Sequence, residues 1–109
     1  MKYYGLTLCL SDDPEIIEQY KHYHRHVWPE VTARLAEVGI TEMKIFLLGT
    51  RLFMYMETED GFDPLVDFPR YADNPKAREW DELMRTFQQR VPDARPDEWW
   101  ALMEPVFQL

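Results

Sequence analysis

The chain has 109 residues, of which 46% are hydrophobic, 15% aromatic and 29% charged. This composition excludes a disordered segment and favours one folded domain over residues 1–109 with its own core. Twenty acidic against 12 basic residues give a net charge of −8, which argues against nucleic acid and anionic membranes as partners. The one cysteine, Cys9, excludes an internal disulfide, and no apolar run reaches membrane-spanning length. We therefore expect a cytoplasmic protein without a membrane partner.

The N-terminal third predicts a strand followed by helix. Residues 2–10 alternate between two faces, the period of a strand, and Gly5 leaves space above one of them. Asp13-Pro14 has the pattern of a helix cap and first helical residue. Since Pro29 cannot donate a backbone hydrogen bond, either the helix kinks before it or a second helix begins there and runs to Gly39.

The middle of the chain predicts a β-hairpin and then a broken segment. Two apolar runs, 43–48 and 51–56, flank Gly49-Thr50, and a glycine at the first turn position suits the turn that matches strand twist. Residues 59–75 hold three prolines among four aspartates, which indicates short turns or a broken helix. Because this segment also contains aromatic and aliphatic residues, we expect it to pack as a lid.

The last third predicts one helix and one short strand. Asn74-Pro75 begins a helix by the same cap pattern, and an apolar stripe at helical spacing continues to Val91, where Pro92 ends it. Pro105 confines the final strand to residues 106–109. The order strand, helix, strand, strand, helix, strand favours an α+β protein with a split β-α-β fold, in which helices back one antiparallel sheet. The second, apolar face of that sheet then needs a ligand or a second subunit to cover it.

Residues 20–30 are the part of the chain richest in groups that can do chemistry. They contain all three histidines. In a helix, His24 shares a face with Tyr20 and Trp28, so it is either a packed histidine or a partly desolvated imidazole that moves protons near neutral pH. His22 and His26 have the spacing of a metal pair, but no third ligand completes a set, so we interpret them as solvated and expect no metal site.

These residues, with others along the chain, resemble the L-rhamnose mutarotase family, and the resemblance covers nearly the whole chain. Its most specific part is Tyr20, His24 and the Trp-Pro-Glu triplet at fixed spacing. The other features are Gly39, the apolar hairpin, Trp80 and the ending Leu102-Met103-Glu104-Pro105-Val106-Phe107-Gln108-Leu109.

The resemblance implies a homodimeric ferredoxin-like protein of the dimeric α/β-barrel type. It also implies an isomerase that interconverts the α and β anomers of a 6-deoxy-L-hexose, with no metal or organic cofactor. By the family's pattern His24 is the general acid/base, Tyr20 binds the monosaccharide substrate, and Trp80 is the second of two adjacent pocket tryptophans. From the residues alone, Trp80 could equally be a core residue on its helix.

Two positions depart from the rhamnose pattern. Met43 stands where the family has a tyrosine, and Glu79 stands where it has the first pocket tryptophan. A carboxylate accepts hydrogen bonds from sugar hydroxyls, so Glu79 is either substrate-binding or a solvated helix residue. These departures favour L-fucose over L-rhamnose. The alternative function is a non-catalytic dimeric module that uses the same cavity to bind a small molecule or partner.

Overall fold

The computed structural model describes all 109 residues, and its sheet has five strands backed by four helices. The elements are β1 (Lys2–Leu10), α1 (Pro14–Arg25), α2 (Pro29–Glu37), β2 (Ile40–Leu48), β3 (Arg51–Thr58), α3 (Pro64–Tyr71), α4 (Pro75–Arg85), β4 (Gln88–Gln89) and β5 (Ala101–Leu102). The strands lie in the order β2-β3-β1-β4, β5 also pairs with β1, and every pairing is antiparallel. The predicted ferredoxin-like α+β fold is confirmed.

Every helix begins with a proline, which suits the first helical position because its missing N–H would have no partner there. Asp13, Asp63 and Asn74 cap three of these helices by accepting backbone N–H bonds. The fourth cap, Trp28, makes no side-chain bond. Residues 26–28 are not helical, so a second helix does begin at Pro29, and the break falls beside Trp28.

The sheet has one covered and one open face. Alternate residues of β1 and β3, including Leu6, Leu8 and Leu52, are buried beneath the helices. The intervening residues, such as Tyr3 and Phe53, lie on the face that no helix covers and are exposed. The alternation arises because successive side chains of a strand point to opposite faces of the sheet. Among the other apolar strand residues, Tyr4 and Ile45 lie on the covered side with Leu6, while Tyr55 lies on the open side with Phe53.

The hairpin and the close approach at Gly5 are as predicted. Gly49 has a φ of 61°, which a mirror-image turn requires at its first central position. A side chain at Gly5 would meet the Phe53 ring at 3.2 Å. The absent side chain therefore lets that ring lie over β1 on the open face.

The predicted helix to Val91 is too long. α4 ends at Arg85, and the chain turns through Thr86 and Phe87, whose carbonyl accepts a bond from the Ser11 N–H at 2.9 Å. Gln88–Gln89 then pairs with Cys9 and Leu10 as a strand. Phe87 and Val91 are buried as the stripe suggested, but Phe87 lies in this turn and Val91 follows β4, so neither is helical.

The predicted final strand at residues 106–109 is wrong. The last strand is Ala101–Leu102, before Pro105, and it pairs with Thr7 and Leu6 on the same edge of β1 as β4. One more bond, from the Met103 N–H to the Gly5 carbonyl at 2.8 Å, ends the pairing. Val106 and Phe107 beyond it are exposed. None of the four helices is both long and apolar enough to span a membrane.

Candidate active site

A cavity of about 1180 Å³ lies between the covered face of the sheet and the helices. This volume suits a small molecule. All four helices, β2 to β5 and the segment before β5 contribute to its wall. The predicted lid, residues 59–75, contains α3 with Pro69 inside it, the helical one of the two alternatives, and several of its residues, including Phe68 and Tyr71, line the cavity.

His24 lies in the cavity wall on α1, half-buried. Its Nδ1 is 2.9 Å from the Tyr20 carbonyl oxygen. Because a carbonyl can only accept, Nδ1 carries the proton, and Nε2 is left as the acceptor. Burial lowers the pKa of His24 from its usual value, while the bond to the Tyr20 carbonyl opposes that shift. The ring is therefore neutral at neutral pH, with Nε2 able to accept a proton.

Tyr20 lies one turn before His24, and its ring centroid is 4.2 Å from that of His24. Its hydroxyl is buried and has no hydrogen-bond partner. Burial raises the pKa of Tyr20 to about 12. The nearby Gln88 side chain opposes this rise, but it is not within hydrogen-bonding geometry of the Tyr20 hydroxyl. The hydroxyl therefore stays protonated. A buried hydroxyl without a partner is costly and leaves this group free to bond a ligand.

Trp80 forms a buried part of the cavity wall on α4. Its ring packs edge-on against Tyr23, His24 and Trp28, at centroid distances of 6.1, 5.5 and 5.2 Å. The Lys76 ammonium lies over the Trp28 ring, 5.6 Å from its centroid. Trp80 thus has a packing role that holds the imidazole in place, and it also presents part of its indole to the cavity.

Glu79 is not brought to this site. Its side chain is 59% exposed, its carboxylate pairs with Lys76 at 3.2 Å, and it lies outside the cavity lining. The structure therefore places it on the solvated side of α4, the other of the two possibilities that the sequence left open. Met43, the second departure from the rhamnose pattern, does line the cavity from β2.

His22 and His26 lie on the outer side of α1. Both are exposed, and their ring centroids are 5.0 Å apart. The structure contains no cluster of three or more histidine, cysteine, aspartate or glutamate residues that could hold a metal ion. Neither side chain lines the cavity.

Sequence reasoning missed a pair of charged residues in the cavity wall. Asp81 and Arg85 of α4 line the cavity and pair at 2.9 Å. The Arg85 guanidinium lies over the Trp99 ring at 4.6 Å, and the Trp99 Nε1–H donates to Gln88 Oε1 at 2.8 Å. The sequence did contain a signal for this pair, because Asp81 and Arg85 directly follow Trp80 and Met84, two residues of the predicted apolar stripe. Ion pairs at this spacing are usually solvated, however, so the residue pattern offered no reason to place this one inside.

An antiparallel sheet with a helix-covered, aromatic cavity and a half-buried histidine in its wall defines a ferredoxin-like protein with a cavity of small-molecule size. Residues 3–109 match the sequence profile of the family described as L-rhamnose mutarotase. The chain is 40% identical to the L-fucose mutarotase of Xanthomonas campestris pv. campestris, over 94% of this chain and 84% of that protein. The chain belongs to the L-rhamnose mutarotase family, whose named members are isomerases acting on sugars.

Two further similarities extend this result. The chain is 51% identical to a UPF0734 protein of Dictyostelium discoideum, over 99% of this chain and 90% of that protein. Its fold matches the crystal structure of L-rhamnose mutarotase FA22100 from Formosa agariphila with a TM-score of 0.73, covering 100% of this chain and 99% of the other. At 23% identity this structural match supports the fold alone.

Proposed function

We propose that this protein interconverts the α and β anomers of a 6-deoxy-L-hexose and that His24 is its general acid and base. The observation that carries the proposal is the hydrogen bond between His24 Nδ1 and the Tyr20 carbonyl. It orients the ring and leaves Nε2 unprotonated in the cavity wall. An imidazole in this state can take up and return one proton near neutral pH.

The reaction needs a proton to move between two oxygens on the same carbon. Nε2 takes the proton of the anomeric hydroxyl as the C1–O1 bond becomes a carbonyl. The C1–O5 bond breaks with its electron pair on the ring oxygen, and the imidazolium gives its proton to O5. Because O1 and O5 are both bonded to C1, one nitrogen can serve both. Rotation about C1–C2 and the reverse sequence then yield the other anomer, so neither metal nor organic cofactor is required.

Tyr20 and Trp80 bind the substrate in this proposal. The buried Tyr20 hydroxyl has no partner in the protein, and a sugar hydroxyl would supply one. The Trp80 indole gives an apolar surface for the C–H face of a pyranose. The two groups adjoin His24, so both would hold the anomeric end near Nε2.

We infer that L-fucose is the better substrate. Support comes from the identity to the Xanthomonas L-fucose mutarotase and from Met43, which lines the cavity where the rhamnose pattern has a tyrosine. A thioether cannot donate the hydrogen bond that a phenol offers. A site that lacks a required donor discriminates strongly against the sugar that needs it.

We further propose that the protein is a homodimer in which the open faces of two sheets meet. Tyr3, Phe46, Leu48 and Phe53 are exposed there, and a contiguous exposed apolar patch is typical of an association surface. A two-fold pair is the commonest way to cover such a face.

The half-buried free thiol of Cys9 fits action in the reducing cytoplasm.

Magnetization-transfer NMR tests the proposed reaction directly. Purified protein should speed α/β exchange of L-fucose, and of L-rhamnose to a lesser degree, above the rate in buffer. A D-aldose such as D-glucose is the control sugar. If neither deoxysugar exchanges faster although both bind, the protein is the non-catalytic module that the same cavity would also permit.

A further inference from the structure

Two carboxylates of α4 lie two residues apart and have opposite surroundings. Glu79 and Asp81 each pair with a cation of the same helix, Lys76 and Arg85. Since an α-helix turns about 100° per residue, positions two apart lie roughly 200° apart around the axis. Glu79 is 59% exposed and outside the cavity, whereas Asp81 is 35% exposed and lines it.

The Asp81 carboxylate is held by one oxygen and free at the other. Its Oδ2 accepts from the Arg85 Nε at 2.9 Å, while Oδ1 accepts no hydrogen bond from the chain. Arg85 is itself fixed, because its guanidinium lies 4.6 Å from the Trp99 ring centroid. Trp99 is in turn anchored by its indole N–H on Gln88. The free oxygen thus belongs to a carboxylate whose position is set by three successive contacts.

Two hydrogen-bond donors, Tyr71 of α3 and Arg85, line the same cavity as this carboxylate. Burial, followed by the nearby charge of Asp81, raises the pKa of Tyr71 to about 12, so the hydroxyl remains a donor. No hydrogen bond joins Tyr71 to Asp81. Both terminal guanidinium nitrogens of Arg85 also make no hydrogen bond within the chain. An acceptor and two donors in one cavity are the groups that a polyol requires.

We propose that Asp81, positioned by Arg85, is the residue that distinguishes sugars by the configuration of their hydroxyls. This inference rests on the proposed function. Its physical basis is that L-fucose and L-rhamnose share the methyl group at C5 but differ in configuration at C2 and C4. Contacts to the shared methyl discriminate little, whereas a carboxylate in the cavity wall that is left without its hydroxyl partner discriminates strongly. Asp81 is thus the specificity-determining carboxylate, and the adjacent Glu79 is not.

The test compares Asp81→Asn with Glu79→Gln. Each removes one negative charge from α4 and one ion pair, but only Asp81 lines the cavity. Affinities for L-fucose and L-rhamnose are measured by tryptophan fluorescence, with thermal unfolding of each variant as the check on folding. Asp81→Asn should lower the ratio of fucose to rhamnose affinity roughly 10-fold or more, the scale of a hydrogen bond to a charged group. Glu79→Gln should leave the ratio within about twofold of the original.

An unchanged ratio in Asp81→Asn, or an equal change in Glu79→Gln, overturns the inference. If Asp81→Asn does not fold, Arg85→Lys replaces it, because lysine keeps the charge but loses the stacked, planar hold on the carboxylate. The ratio should then fall as well, and an unchanged ratio in that variant also overturns the inference.

Binding and exchange separate this inference from the proposed reaction. A wild-type protein that binds both sugars without speeding exchange refutes the mutarotase proposal, while the affinity ratio of the variants still decides the role of Asp81. A protein that speeds exchange with the same preference in Asp81→Asn refutes only the specificity role. A protein that binds neither sugar refutes both.

Discussion

The two faces of the sheet carry similar apolar residues but differ in what surrounds them. On the covered face the residues enclose a cavity in which burial shifts the pKa values of His24 and Tyr20. On the open face the pairs Tyr3–Tyr55 and Phe46–Phe53 stack at 6.3 and 6.2 Å, yet Tyr3, Phe46 and Phe53 are exposed. Only the covered face excludes water enough to tune a proton transfer. We therefore assign chemistry to the covered face and association to the open one.

Leu52 and Phe53 are neighbours on β3 whose side chains point to opposite faces of the sheet. Substituting each by alanine therefore compares the two faces at one point of the chain. Leu52 is 1% exposed and Phe53 is 38% exposed. Leu52→Ala should reduce the free energy of unfolding by roughly 2–5 kcal/mol, because it leaves a cavity in the core. Phe53→Ala should cost clearly less in the monomer. Urea unfolding at a concentration that keeps both variants monomeric measures this, and equal losses would contradict the assignment of faces.

A charge on the open face should prevent association. In Phe53→Asp the carboxylate would be desolvated at the dimer interface, so sedimentation at micromolar protein should show monomer where the wild type shows dimer. Val66→Asp is the control, since Val66 is an exposed apolar residue on α3, on the helix side of the sheet. A wild type that sediments only as monomer would rule out the dimer.

Much of the fold could be predicted from the sequence because local rules set it. Proline at the first turn determines where the helices start, and Gly49 marks the hairpin. The end of α4 could not be predicted in this way, since Phe87 is buried by a turn into β4 and burial alone does not distinguish helix from strand. The position of the last strand depends on where the edge of β1 is free, which is a tertiary property that no local pattern contains.

The candidate site was predictable only in part. Tyr20 and His24 are four residues apart on one helix, so their spacing alone is enough to bring them together. Trp99 reaches the cavity from a segment without regular structure, and no periodicity predicts that. The side of α4 to which Glu79 and Asp81 each point depends on how the helix is rotated on the sheet. The sequence pattern therefore left both roles of Glu79 open and did not single out Asp81, which lines the cavity.

Removing the Tyr20 hydroxyl should separate binding from stability. Since this hydroxyl has no partner in the free protein, Tyr20→Phe should leave the free energy of unfolding unchanged or slightly higher. Affinity for L-fucose should fall roughly three- to tenfold, the scale of one hydrogen bond of about 0.5–1.5 kcal/mol. Tyr23→Phe on the same helix is the control, because Tyr23 does not line the cavity. A large loss of stability in Tyr20→Phe would contradict the conclusion that this hydroxyl has no hydrogen-bond partner in the free protein.

The pH dependence of exchange should follow the covered position of His24. Burial lowers its pKa below the usual value of 6.5, and the reaction needs the neutral ring. The enzymatic kcat/KM, after subtraction of the rate in buffer, should be level above pH 6.5 and fall as pH decreases through the lowered pKa. A midpoint above pH 6.5 would contradict a desolvated, neutral histidine.

Proton transfer by His24 is best tested by comparing His24→Ala with His22→Ala. Both residues lie on α1, but only His24 lines the cavity, while His22 is exposed to solvent. Magnetization-transfer NMR with L-fucose should show exchange reduced by roughly 10²- to 10⁴-fold in His24→Ala, with sugar affinity largely kept, and nearly unchanged in His22→Ala. Exchange by His24→Ala at the wild-type rate would contradict the assignment of proton transfer to the covered face.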